Sequence, residues 1–283
     1  MSKSKELILP DEVEIAKATD PRDLVIISIP KMGKGCILGN LSKQANGLVF
    51  DLEKGGYEYI DARKVSIYPK ESTTDLEAFD NYCAWRDELL KNKGKYQFLI
   101  IDGLSDLDRM SEIGGTMMYM NSVIGKNFNK IDKKDPRDDA PKYWPGHEKH
   151  KSVLTLADGA GYWWTRKWFL NQIESFREIA PYRIYAAHIV EKYIKDNGKE
   201  DVIGSEIALT GQLKRIFATK VTTLAKMVAD EEKRYLNFEV QNDSIIAGSR
   251  APKLKGKILI SDLIDDKVVT YWENIYSKDC LTK

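Results

Sequence analysis

The sequence predicts an α/β protein with a mostly parallel sheet and helices on both faces. Apolar runs alternate with amphipathic stretches along most of the 283 residues, the pattern of strand–helix–strand units. Runs such as QFLIIDG (97–103) are apolar throughout up to their acid, as expected of parallel strands covered by helices. The first run, LVIISI (24–29), passes into a glycine-rich turn and then a helical pattern, the junction at which open α/β sheets bind phosphate groups.

Composition narrows the class further. The chain is 42% hydrophobic and 31% charged, the balance of an ordinary globular protein with one large α/β domain or two small ones. Its 44 basic and 43 acidic side chains leave a net charge of +1. No global field therefore draws it to nucleic acid or membrane, and any basic surface must be local. No apolar run approaches the ~20 residues of a spanning helix. The opening MSKSKELILPDEVEIAK lacks the apolar core and cleavage site of a signal peptide. Cys36, Cys83 and Cys280 are scattered without a C-x-x-C pair, which argues against a disulfide framework or zinc site and suits the cytoplasm. The histidines, His147, His150 and His188, are too few for a histidine-rich metal centre.

Elements follow in order. After the 24–29 strand, a helix is expected over about 33–42. GLVFDLE (47–53) is a second strand that ends in two acids and the turn Lys54-Gly55-Gly56. VSIY (65–68) is a short third. Leu76, Phe79, Tyr82, Cys83, Arg86 and Leu90 share one face of a predicted helix over 75–91. Residues 111–158 hold GG, PRDDAPKYWPG and many lysines, and read as an insertion of loops and short helices. GYWWTRKWFLNQIESFREI (161–179) is an amphipathic helix with Trp164, Trp168, Ile173 and Phe176 as core contacts; an aromatic base-stacking surface is the alternative. YRIYAAHIV (182–190) is the next strand, followed by a polar loop over 193–203. Residues 220–241 form two strands joined by an acidic turn at 230–233. From 249 the tail is basic, then mixed.

The chemistry-bearing residues sit at strand ends. Pro30, Lys31, Met32, Gly33, Lys34, Gly35 and Cys36 nearly complete the phosphate-loop pattern G-x-x-x-x-G-K-[ST], with Ser28 in place of the first glycine and Gly35 in place of the hydroxyl residue. Successive N–H groups there can form an anion nest, and Lys34 can reach the β- and γ-phosphates; otherwise this is a glycine-rich turn with a surface lysine. Asp102 closes FLIID in the manner of an acid that holds Mg²⁺, or serves as a helix cap. Glu53 is placed to activate a water, or is an exposed turn residue. His188 contacts a γ-phosphate, or is a packed, hydrogen-bonded residue.

Taken together, the phosphate loop, VFDLE, LIID and YAAH runs resemble the RecA-like ATPases. They are most similar to the phage-encoded AAA-type ATP-binding or single-strand-annealing ATPases, whose loops also carry proline and lysine before the GK, as in IPKMGK. The resemblance covers roughly 22–255, with 111–158 unmatched. It implies a RecA-like P-loop core over 21–255, a lead over 1–20, a C-terminal extension over 256–283, and a strand order of 5-1-4-3-2. It also implies ATP and Mg²⁺ as cofactors, Glu53 as catalytic glutamate, Asp102 as metal ligand and His188 as sensor.

Two departures bear on this. Ser28 matters little if its backbone is ordinary, whereas Gly35 removes a direct Mg²⁺ ligand that water can replace. Binding of ATP with slow hydrolysis is therefore expected. The resemblance implies a homo-oligomer working on single-stranded DNA in phage recombination, replication or repair, in the host cytoplasm. KNFNKIDKK (126–134), Lys214-Arg215 and RAPKLKGK (250–257) are the local basic segments, either DNA contacts or solvated faces. Arg250 is a candidate arginine finger that reaches a neighbouring copy's γ-phosphate. A structural protein that kept the fold and lost the chemistry is the alternative, for which Gly35 speaks. A small-molecule kinase lacks a recognisable acceptor site or arginine-rich lid.

Overall fold

A computed structural model describes residues 18–128, 152–196, 199–239 and 247–282, and their side chains except at 127, 128, 157, 191–203 and 205. Residues 1–17 of the expected lead, 129–151 of the expected insertion with most of KNFNKIDKK, and the strand end at 240–241 lie outside them.

In chain order the elements are β1 (Asp23–Ser28), α1 (Lys34–Gln44), β2 (Gly47–Asp51), β3 (Lys64–Ser66), α2 (Asp75–Lys91), β4 (Phe98–Asp102), α3 (Leu104–Asn121), α4 (Val123–Phe128) and α5 (Gly161–Ile179). They continue as β5 (Tyr182–Asp196), β6 (Lys199–Ile207), α6 (Leu213–Lys220), β7 (Thr223–Asp230), β8 (Lys233–Asn237), β9 (Gly248–Ser249), β10 (Lys257–Ile264), β11 (Lys267–Thr270) and α7 (Lys278–Leu281). The sheet order is β11-β10-β8-β7-β1-β5-β4-β2-β3, with β6 on β5 and β9 on β7. From β7 to β3 the neighbours run parallel. The β7–β8, β8–β10 and β10–β11 pairs are antiparallel. The chain is thus α/β with a mostly parallel, mixed sheet. Counting β1, β2, β4, β5 and β7 as strands 1 to 5, the parallel order is 5-1-4-3-2, with β3 an added edge.

Uniform apolarity in β1 has a direct cause. Successive side chains point to opposite faces, and both faces are covered. Val25 and Ile27 pack with Phe79, Tyr82, Trp168, Phe169 and Phe176. Leu24 and Ile26 pack with Ile37 and Leu41 of α1 and with Trp272 and Tyr276 beyond β11. The residues after 256 therefore complete the same core as α1.

Helices α2 and α5 keep their expected bounds. Thr74 caps α2 reciprocally: its hydroxyl accepts from the Glu77 amide while its own amide donates to the Glu77 carboxylate. Of the predicted α2 face, Phe79 and Tyr82 are buried, but Leu76 is exposed in the first turn and Leu89 takes a core place instead. Trp168, Ile173 and Phe176 of α5 are core residues, and Trp164 packs on Tyr119.

Two expectations are corrected. Residues 111–121 do not belong to an insertion of loops and short helices; they continue the long helix α3. The Gly114-Gly115 pair is a helix crossing: a Cβ on Gly115 would lie 2.8 Å from the Thr165 amide nitrogen, and one on Gly114 would strike the Trp168 ring. The 193–203 segment is not a loop either. Beyond His188, β5 leaves its parallel neighbours and pairs only with β6, antiparallel. The sequence of this segment, YIKDNGKEDVI, carries no regular apolar alternation to mark a strand.

Candidate functional site at the carboxyl ends of the parallel strands

β1 ends at Ser28, directly opposite His188 of β5. Ser28 is buried, in regular strand geometry, and its hydroxyl donates to the Ile29 carbonyl at 3.0 Å; no glycine is needed there. The chain then turns sharply. Lys31 (φ 64°) and Gly33 (φ 87°) are left-handed and Met32 between them is not, an alternation that turns successive N–H groups toward one concavity. Arg234 of β8 braces this turn by donating to the Met32 carbonyl at 3.1 Å. No side chain caps α1 and no acid lies in its first turn, so its N-terminal amides are left for an anion. Pro30 and Lys31 are exposed, while Cys36 is half-buried beside Gly33. Met32, Gly33, Cys36, Arg234, Asp262 and Val268 are among the walls of a cleft of about 210 Å³ next to the turn.

Lys34 points inward under the loop and is buried. Burial lowers its pKa, while the Asp102 and Glu53 carboxylates oppose that shift. Its amine donates to the Ala187 carbonyl at 3.2 Å and lies 3.5 Å from His188 Nδ1. His188 Nε2 is 3.3 Å from Glu53 Oε1. A lysine can only donate, so Nδ1 accepts and the imidazole proton faces Glu53. Glu53 Oε1 has no hydrogen-bond partner beyond this imidazole contact. His188 and then Lys34 hold the Glu53 carboxyl below its usual range, against burial.

The acids come from adjacent strand ends. Asp51 of β2 is in register with Asp102 of β4. Asp102 is buried; its Oδ2 accepts from the Tyr57 hydroxyl at 2.7 Å and its Oδ1 has no partner. Burial pushes its pKa up, and the neighbouring Glu53 charge adds to this. Burial likewise raises Asp51 to about 7, and Asp106, paired with Arg109 at the start of α3, to about 6. Gly103 is left-handed at φ 97°, and a Cβ there would come within 2.9 Å of Glu53 Cγ. Glycine after the acid thus serves both the turn and the glutamate.

The structure therefore brings Lys34, Glu53, Asp102 and His188 together beside the 30–36 turn. Arg250 is not among them. It adjoins β9, which pairs with the first residues of β7, and its guanidinium donates to the Thr219 carbonyl, at the opposite sheet edge from Lys34. Lys253 of the basic tail is paired with Asp20 at 2.6 Å, and Lys214 with Glu206.

Tyr57, Gly103 and Arg234 escaped the sequence reading. Gly103 could have been found in FLIIDG, because a glycine after a strand-terminal acid signals a left-handed turn. Tyr57 and Arg234 reach the site only through tertiary contacts and carried no local signal.

Among the described residues, no group of three or more His, Cys, Asp or Glu side chains could hold a metal ion unaided. The unpartnered Oδ1 of Asp102 is a hard donor suited to a cation that takes its remaining ligands from phosphate and water. No helix among the described residues is long and apolar enough to cross a membrane. The chain matches no protein-family model and no curated protein.

Proposed function

We propose that the chain is a RecA-like ATP-binding protein that hydrolyses ATP slowly and works as a homo-oligomer on single-stranded DNA in phage recombination, replication or repair. One observation carries the nucleotide reading. Lys34, Glu53, Asp102 and His188 come from separate segments and converge beside an uncapped helix N-terminus, at the carboxyl ends of parallel strands ordered 5-1-4-3-2. Ligands of open α/β sheets bind at this edge.

In this reading the amides of residues 33–36 cradle the β-phosphate, and Lys34 leaves the Ala187 carbonyl to meet the phosphate oxygens. Asp102 would hold Mg²⁺, directly or through water, and the ion would supply charge neutralisation for the phosphates. Glu53 accepts a proton from the attacking water. His188 bridges Lys34 and Glu53, so a change in the lysine's position on phosphate loss passes to Glu53 and to the β5–β6 ribbon. A carboxylate held below its usual pKa is a weak base near neutrality, which accords with slow turnover. The cleft beside Met32 and Cys36 suits the nucleoside. Oligomer and DNA rest on the resemblance and on the exposed Lys255 and Lys257. With Arg250 at the far edge, an arginine finger from that residue has to come from a second copy.

Turnover of ATP, with and without single-stranded DNA, tests the reading. Glu53→Gln is expected to bind ATP as the parent does and to hydrolyse it roughly 10²-fold more slowly. Equal turnover in the two would make Glu53 a turn residue only. The opposing reading, fold kept and chemistry lost, rests on Gly35 and predicts no turnover in either.

A further inference from the structure

The phosphate loop lacks a hydroxyl at position 35, and another hydroxyl comes to the site from elsewhere in the chain. After β2 the backbone turns at Gly55 and runs back along α1 as a strap. A Cβ on Gly35 would lie 2.9 Å from Ile60 Cδ1 and 3.9 Å from Tyr57 Cζ. One on Gly39, a turn further along α1, would lie 2.8 Å from Ile60 Cγ2 and 3.0 Å from the Asp61 carbonyl oxygen. Past these, Arg63 donates its amide to the Ser42 hydroxyl at 3.0 Å. Residues 35, 39 and 42 thus form one small-residue face on which the strap lies. A threonine at 35 would meet the Ile60 Cδ1 methyl, which would have to turn aside.

The strap brings a hydroxyl of its own. Tyr57 is 2% exposed and donates to Asp102 Oδ2 at 2.7 Å. Its ring is held by Lys64, whose amine donates to the Tyr57 carbonyl and lies 5.8 Å from the ring centroid. Asp102 Oδ1 remains buried without a partner. We propose that Tyr57 is the positioning residue of the metal site: its hydroxyl, coming from the strap and not from the phosphate loop, fixes the Asp102 rotamer and leaves Oδ1 free for the cation or its water. Gly35 still leaves one direct ligand to water, while the hydroxyl beside Asp102 comes from the strap. This rests on the nucleotide-site reading above.

The experiment is calorimetric titration with ADP, in excess EDTA and in excess Mg²⁺, on the full chain. The ratio of the two affinities is the Mg²⁺ increment. Tyr57→Phe keeps the ring and its packing, and is expected to bind ADP in EDTA within about twofold of the parent while losing about tenfold of the increment, the scale of a hydrogen bond to a charged group. Adding Gly35→Ser and Ile60→Ala to that variant is expected to restore it. An increment unchanged in Tyr57→Phe overturns the assignment. Should Tyr57→Phe not fold, Tyr57→Met is titrated instead: an increment lower by about tenfold with ADP binding in EDTA kept supports the assignment, and an unchanged increment overturns it. A wild-type chain that binds ADP under neither condition overturns the nucleotide reading itself, and is told apart by its EDTA arm.

Discussion

The acids of the site are held where folding alone would not choose to put them. Asp51 is 2% exposed and its carboxyl is raised to about 7, first by burial and then by the charges of Asp102 across the ladder and Glu53 two residues on; the Glu53 amide and Ser66 pull the other way. A raised carboxylate pKa means the folded chain holds a proton that the unfolded chain has lost, so this contribution falls as pH rises from about 4 to about 7. A shift of that size corresponds to at most about 4 kcal/mol at the top of the window. Asp106, raised to about 6, adds to the same slope. Urea unfolding of the nucleotide-free protein at pH 5 and pH 8 is expected to give a lower midpoint at pH 8, and Asp51→Asn is expected to narrow that gap. A gap left unchanged by Asp51→Asn would show that the carboxyl is ionised and well paired. Lys34, Glu53, Asp102 and His188 were legible in the sequence because each lies at or next to the end of an apolar strand, and strand order then fixes their meeting. Tyr57 was not legible, because the path of the strap is set by its contact with α1 and not by any local preference.

Among the elements, periodicity served where one face is buried and failed where backbones touch. The capped α2 and the amphipathic α5 match their predicted bounds. The double glycine that read as a loop in α3 instead admits α5, a close approach that no single-element pattern records. The same physics governs α1. Alanine normally gains roughly 0.8–1 kcal/mol over glycine inside a helix, but at Gly39 it would press on Ile60 and on the rigid Asp61 carbonyl. Gly39→Ala is therefore expected to destabilise the fold by about 1–3 kcal/mol, the usual cost of overpacking. It should also weaken Mg²⁺-dependent nucleotide binding as the strap lifts Tyr57 from Asp102. A thermal midpoint at or above that of the parent would mean the strap lies loosely on α1.

Across the whole molecule the sheet joins a parallel half, which carries the site, to an antiparallel wing that closes over α1. The parallel half was visible in the alternation of apolar runs, and the β7–β8 hairpin that starts the wing in the two strands around the acidic turn at 230–233; β10 and β11 were not, since the tail after 249 reads as basic and mixed. The wing bears on partners as well. With a net charge of +1 and Lys253 spent on Asp20, Lys255 and Lys257 are the exposed lysines left in the 250–257 segment for phosphate contact. Single-stranded DNA binding is expected to weaken with salt, and neutralising both lysines to reduce the log–log slope by about 1.4; an unchanged slope would move the contact elsewhere. The nucleotide claim stands beneath all of this, and the most direct measurement of it is calorimetric titration of ATP with Mg²⁺ into the wild-type chain and Lys34→Ala. Saturable binding is expected for the wild type, with at least a tenfold loss in the variant, about 1.4 kcal/mol. Equal affinities, or no binding by the wild type, would contradict a phosphate site at the end of β1.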